Sequence, residues 1–340
     1  MMKRITIAFA RLVAAALAFQ STQALALDAN QEVGAFSSES AEGKAGGNKM
    51  VRVKVDCAND SKALKNALEK KAWNADKVRF VISGECNGPL VIDRNGFEVV
   101  GDAHKPAAVR ISQSNREQAA ILIQSASARF ANFNVDVPGG TAAIKAKANA
   151  SVTVDRITTN AQSDWAAPMA QLVATDSSSL FLANLSGSEV LVIGGSTVEF
   201  ESGNTRTTLD VRDTSTAKSG HANEFSNVQL SANAYLLADN RTRIDTLGIW
   251  GKASVEIDRD SRVGQLGMGG QTMFAAYRNS SVSGPYAIYG NVVIEINNST
   301  ATGWKTVSNP HAMFIGSNAT VNNQLYPDWS WSGQDGLGKP

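Results

Sequence analysis

Asp239 and Asp258 stand nineteen residues apart, each closing an apolar strand phrase: Leu236-Leu237-Ala238-Asp239 and Val255-Glu256-Ile257-Asp258. If the two phrases stack at the ~4.8 Å spacing of neighbouring strands, their carboxylates form a column. Two stacked carboxylates with backbone carbonyls make a hard oxygen set that suits Ca²⁺. Asp and Asn also end strands by bonding their own backbone in turns, so a structural reading stands beside the metal one. A second group, Arg212, Asp213 and His221, lies within ten residues. An imidazole beside a carboxylate is a general base with its orienting partner, and a guanidinium neutralises an acidic substrate. Loop polarity alone accounts for the three equally well. Asp164 and Trp165 in the segment 161–169, and Trp250 and Tyr289 at the ends of short apolar runs, are candidates to bind and stack sugar rings.

Those residues depend on a repeat. The anchors Leu236, Val255, Phe274 and Ile294 are separated by 19, 19 and 20 residues. Each phrase is too short to bury its own apolar face, so copies must stack to build a core, as in a solenoid. Stepping backwards reaches Ala217, Val198, Leu180, Val152, Phe130, Ile111 and Ile92 as expected anchors. A second short strand precedes the anchored one in many coils, as in Ile121-Leu122-Ile123, Val190-Leu191-Val192-Ile193 and Leu247-Gly248-Ile249-Trp250. Gly194, Gly251, Gly270 and Gly290 each fall four residues before an anchor, which predicts a corner with positive φ. A β-sandwich is the competing fold, but it gives no reason for a 19-residue register. Alternation places Ile257, Ile294 and Ile296 inward, with Glu256 and Glu295 outward. The rhythm is expected to break at 161–169 and at the polar stretch 212–224, and loops leaving a rigid scaffold are where binding concentrates. Asp164, Trp165, Arg212, Asp213 and His221 are therefore expected to border one groove.

The head of the chain reads as a secretory signal peptide over 1–26: Lys3 and Arg4, an apolar run to Phe19, then Ala24-Leu25-Ala26. Export to the periplasm or beyond follows as an expectation, with a Gly/Ser-rich flexible lead over 27–50 and no membrane span. The net charge is +1 with no Lys/Arg block, which argues against nucleic acid and anionic membrane as partners. Cys57 and Cys86 are the only cysteines, and in an oxidising compartment an even pair is most simply a disulfide.

The order of an alternating strand (Val51–Cys57), an amphipathic helix over 61–72, then Val81-Ile82-Ser83-Gly84-Glu85-Cys86, Leu90-Val91-Ile92 and Val99-Val100-Gly101 resembles the first coils of exported pectin-lyase-like proteins. The resemblance covers about fifty residues of motif together with the coil rhythm. It implies an all-β, single-stranded right-handed parallel β-helix of roughly ten coils over 51–340. It also implies an N-terminal helical cap within 51–90, pinned by the disulfide. Aromatics near Tyr326, Trp329 and Trp331 would close the far end over 305–340.

Enzymes of that superfamily cleave or epimerise acidic polysaccharide, and binding of polysaccharide by a monomer is the leading expectation. Lyase, epimerase and hydrolase chemistry remain open. Asn309-Pro310-His311-Ala312 resembles the Asp-Pro-His-Asp signature of mannuronan epimerases but lacks both acids. The alternative is a non-catalytic structural, surface or carbohydrate-binding solenoid.

Overall fold

Short Val- and Ile-rich strands bury one alternating face, and the corners between them carry the chain onward without reversing it, so consecutive strands before Met313 form no hairpins among the described residues. In the computed structural model, which describes residues 50–69, 75–102, 110–115, 117–159, 171–304 and 311–332, each strand pairs instead with its counterpart one coil away. The result is 24 strands in one all-parallel sheet, the arrangement of a parallel β-solenoid. The expected signal peptide, and all but Met50 of the lead, lie outside the described residues.

The chain turns through three faces per coil. The first carries the anchors: Val152, Leu180, Val198, Ala217, Leu236, Val255, Phe274, Ile294 and Phe314 are successive partners in one line. The second contributes one inward apolar residue per coil, in the line Phe225, Ile244, Val263, Val282 and Ala301. The third is built from runs such as Glu189–Val192, Thr207–Val211, Arg243–Gly251 and Arg262–Gly270. It lines up Val192, Val211, Leu230, Ile249, Met268 and Ile288. The three inward lines meet in a core whose members are almost all under a tenth exposed. Ile257, Ile294 and Ile296 are in it, with Glu256 and Glu295 on the outside, half-buried.

Two expectations about register change. The line from Val152 runs back through Ala128, Phe97, Val78 and Val51, not through Phe130, Ile111 and Ile92. Ile111 belongs to the second face beside Cys86, and Ile92 to the third beside Ile123. The early coils differ in length, so a constant step slides from one face to another. Nor does 212–224 leave the scaffold. Thr216–Ser219 is a strand, and Ala217 and Ser219 are fully buried. The polar residues there are satisfied: the Ser219 and Thr242 hydroxyls lie 2.8 Å apart and the Asn223 amide donates to Ser219 Oγ at 2.9 Å. A buried hydroxyl with partners costs little.

Such partners recur as internal ladders. Asn223 Oδ1 accepts from the Asn204 backbone N–H at 3.2 Å, Ser261 Oγ from Thr242 and Ser299 Oγ from Ser280, each across 19 residues. Ser196 and Ser215 do the same at the other corner. Asn318 donates to Asn298 and Asn184 to Asp155 in outer counterparts.

The corner glycines have φ of +66° (Gly194), +76° (Gly251), +93° (Gly270) and +76° (Gly290). At Gly270 a Cβ would stand 2.5 Å from the Gly251 carbonyl oxygen, so the close stacking of these corners excludes a side chain.

A helix over Ala63–Glu69 sets Leu64 and Leu68 into the core, and Cys57 is bonded to Cys86 with Cα atoms 5.0 Å apart. At the other end Met313–Val321 pairs antiparallel with Gln324–Ser332. Trp304 packs edge-on against Phe314 with ring centroids 5.7 Å apart.

Candidate functional site

The third face brings most of the outward chemistry together. Parallel register makes Trp250 the partner of Gly269 and Gly269 the partner of Tyr289. Continuing that register backwards places Ser231 and then Arg212 in the same outward column. The neighbouring column is Asp210, Gln229, Gly248, Gly267 and Ala287. The floor beneath the aromatics is therefore nearly side-chain-free.

The geometry explains the glycines. A Cβ on Gly269 would stand 2.7 and 2.8 Å from Cε3 and Cζ3 of Trp250, so the indole lies over the bare backbone of the next coil. A Cβ on Gly248 would stand 2.8 Å from Trp250 Nε1. That Nε1–H donates to Gln229 Oε1 at 3.0 Å, and the Gln229 amide donates to Asn227 Oδ1 at 2.9 Å. Glycine floor and amide relay together fix the ring. Tyr289, two coils on and about 10 Å away at strand spacing, is 64 % exposed.

Arg212 is on this wall, but its partner is Asp210, not Asp213. Its Nε donates to both Asp210 oxygens at 3.0 Å, and that contact holds the guanidinium above its ordinary pKa. Asp213 is a left-handed corner residue, φ +61°, whose Oδ2 accepts from the Gly194 N–H at 3.2 Å. His221 is exposed at the opposite end of the Thr216–Ser219 strand. The expected base pair of Asp213 and His221 is therefore not assembled, because a strand of the first face separates its members. Asp164 and Trp165 lie outside the described residues. His311 is exposed just before the Met313–Val321 strand.

Asp239 and Asp258 do stack, with Tyr277 and Asn297 continuing the column. Their carboxylates are nonetheless occupied. Arg259 Nη2 donates to Asp239 Oδ2 at 2.6 Å, and Arg278 Nε to Asp258 Oδ1 at 2.6 Å, each reaching back one coil. The Asp258 side chain is 3 % exposed and that of Arg278 62 %. A guanidinium thus fills the place expected for a cation. Among the described residues no three His, Cys, Asp or Glu side chains converge on a metal position.

Tyr235 and Tyr277 face outward on the first face beside Glu256 and Glu295. Burial, then the neighbouring carboxylates, pushes both phenols well above their ordinary range. The Tyr235 hydroxyl reaches Glu256 Oε2 at 3.4 Å. These phenols are fixed donors.

Two cavities lie on the second face. One of about 400 Å³ is bordered by Asn87, Ser112, Gln113 and Asp136. The other, about 490 Å³, is bordered by Ala222, Glu224, Arg241, Arg243, Asp260 and Arg262. Arg241 and Arg243 come from one coil and Arg262 from the next, so only the register between coils brings the three together.

No family model, curated protein or solved structure matches the chain. Its own geometry carries the argument.

Proposed function

We propose that this is an exported right-handed parallel β-helix of the pectin-lyase-like kind, with the helix around Leu64 and Leu68 as its N-terminal cap, and that it binds polysaccharide along the outer wall of its third face. The observation that carries the reading is the Trp250 indole, seated over Gly269 and tied to Gln229, in register with the exposed Tyr289. A fixed aromatic surface costs little conformational entropy to use, and its face suits the C–H side of a sugar ring. Asn227, Gln229 and the Asp210–Arg212 pair supply hydrogen-bonding groups alongside. Ordered strands spaced coil by coil suit a repeating ligand better than a single small molecule.

The test is affinity electrophoresis and calorimetry on a panel of neutral, uronate and sulfated polysaccharides, with Trp250→Ala and Tyr289→Ala as comparisons. Binding to at least one polymer that both substitutions weaken supports the reading. Binding indifferent to both substitutions, or none across the panel, overturns it. Following unsaturated product by absorbance in the same samples separates a lyase from a binder.

A further inference from the structure

Beside the aromatic column and the glycine-rich column of the third face runs another outward column, Asn227, Thr246 and Gln265, partners coil by coil. Over the coils from Asn227 to Tyr289 none of these columns carries a carboxylate, ammonium, guanidinium or imidazole. An ion pair stands a coil earlier, where Arg212 Nε holds both oxygens of Asp210 at 3.0 Å. The second face of the same coils is built the other way, with Glu224, Arg243 and Arg262 in a single outward column.

The ionised groups nearest along the chain sit at the margins. Asp245 precedes Thr246 and is paired with Arg243 at 3.0 Å, and Lys252 is exposed at the corner past Trp250. Between those margins the hydrogen-bonding groups are neutral and uncommitted. Thr246 and Gln265 make no side-chain hydrogen bond among the described residues, and Asn227 keeps its amide N–H groups while its Oδ1 accepts from Gln229. A hydroxyl and a primary amide both donate and accept, which is what a sugar hydroxyl requires of a partner. The Trp250 ring leans toward this column, since a Cβ on Gly248 would stand 2.8 Å from its Nε1. Aromatic face and amide column are thereby drawn to within about one column's width, ~6.6 Å for two residues of strand.

We infer that this wall selects a neutral polysaccharide, a chain of hydroxyl-bearing sugars without carboxylate, sulfate or phosphate. Its rings lie on Trp250 and Tyr289, and its hydroxyls meet Asn227, Thr246 and Gln265. A uronate or sulfated chain in the same seat brings anions out of water against glycine backbone and neutral amides, and an ion moved there without a partner is disfavoured. Lys252 is one cation at one margin and Asp245 stands at the other, so the pair does not match a chain with an anion on successive units. A neutral sugar gives up only hydroxyl hydrogen bonds to water, which the amide column replaces. The inference rests on the glycan-binding reading of this wall and adds the charge class of the glycan.

The experiment measures binding of the full chain, by calorimetry and affinity electrophoresis, to matched polymers that differ chiefly in charge. The pairs are methyl-esterified and de-esterified homogalacturonan, hydroxyethylcellulose and carboxymethylcellulose, and galactan and its sulfated derivative. Trp250→Ala, Tyr289→Ala and Gln265→Lys are compared with the parent. The expected result is at least one neutral member bound about tenfold or more tighter than its charged counterpart, as for a charged group left unpaired. That affinity is expected to hold from about 0.01 to about 1 M salt, where an ionic contact would be screened. Both aromatic substitutions are expected to weaken it, and Gln265→Lys, at an exposed position, to tighten the charged members alone. A charged member bound as tightly as its neutral counterpart, or more tightly, overturns the neutral class; its loss in Trp250→Ala then leaves the aromatic wall standing. Neutral binding indifferent to both aromatic substitutions overturns the wall itself, and absence of binding across every pair overturns both.

Discussion

Gly269→Ala adds one methyl group beneath the Trp250 ring. The new carbon would lie 2.7 and 2.8 Å from Cε3 and Cζ3, and carbon atoms in contact prefer ~3.5–4.0 Å, so the ring must lift by about 1 Å. A rise of that size carries Nε1 beyond reach of Gln229 Oε1, now 3.0 Å away. The lost hydrogen bond and the overpacking together cost about 1–3 kcal/mol of stability. For the ligand, losing a well-placed aromatic contact is worth ~1 kcal/mol, about fivefold in affinity. Gly269 has no left-handed φ, so the alanine acts through the ring and not through backbone strain. The assay pairs calorimetric titration of the bound polysaccharide with the indole N–H resonance of Trp250, assigned by its loss in Trp250→Phe. The expected outcome is a shifted, solvent-exchanging Nε1–H resonance and binding weakened about fivefold. An unshifted resonance with parental affinity would refute the seating of the indole over Gly269.

Three further outcomes follow from the same geometry. Arg278→Ala strands the 3 % exposed Asp258 side chain with its Arg259 N–H bond, whereas Asp258→Asn leaves a solvated Arg278. The arginine substitution is expected to cost more, about 2 kcal/mol against about 1, and a reversed order in chemical denaturation contradicts the pairing. Replacing both Cys57 and Cys86 by Ser opens a loop of sequence separation 29 and is expected to cost about 3–4 kcal/mol. Reductant should then destabilise the parent but not the variant. Tyr235 and Tyr277 have phenols raised in the folded state, so their contribution is fully present below the ordinary tyrosine pKa of 10.0 and is lost as pH rises through the folded value. Denaturation midpoints measured above pH 10 are expected to fall less steeply for Tyr277→Phe; an identical slope refutes the burial of that hydroxyl.

The line from Leu236 to Ile294 was legible because its coils are nearly equal and each places two inward residues on one strand. The first coils were not. The steps from Val51 to Val78, Phe97 and Ala128 are 27, 19 and 31 residues, so no constant period finds them. The second face escaped for another reason: Phe225, Ile244 and Val263 are lone apolar residues among polar ones, and only their spacing of 19 betrays them. At the site, Trp250 and Tyr289 were readable as strand-end aromatics, but the Gly269 seat was not, since it depends on cross-coil register. Asp239 and Asp258 were placed in the right column with the wrong neighbour. Left-handed φ at Arg259 and Arg278 turns those side chains back one coil, and nothing in local composition announces that.

The ladder of Asn204, Asn223, Thr242, Ser261, Ser280 and Ser299 gives the molecule something close to a lattice translation. Between Val198 and Phe274 the inward side chains of the first face each have an equivalent seat 19 positions away. Excising Ser254–Thr272 would bring Met273 onto Tyr235 and Phe274 onto Leu236, with small or hydroxyl residues again meeting at the buried corners. Length is then a nearly free variable of this architecture: a duplication or loss of one such block lengthens or shortens the outer walls by one strand spacing, while the two ends of the stack remain as they were.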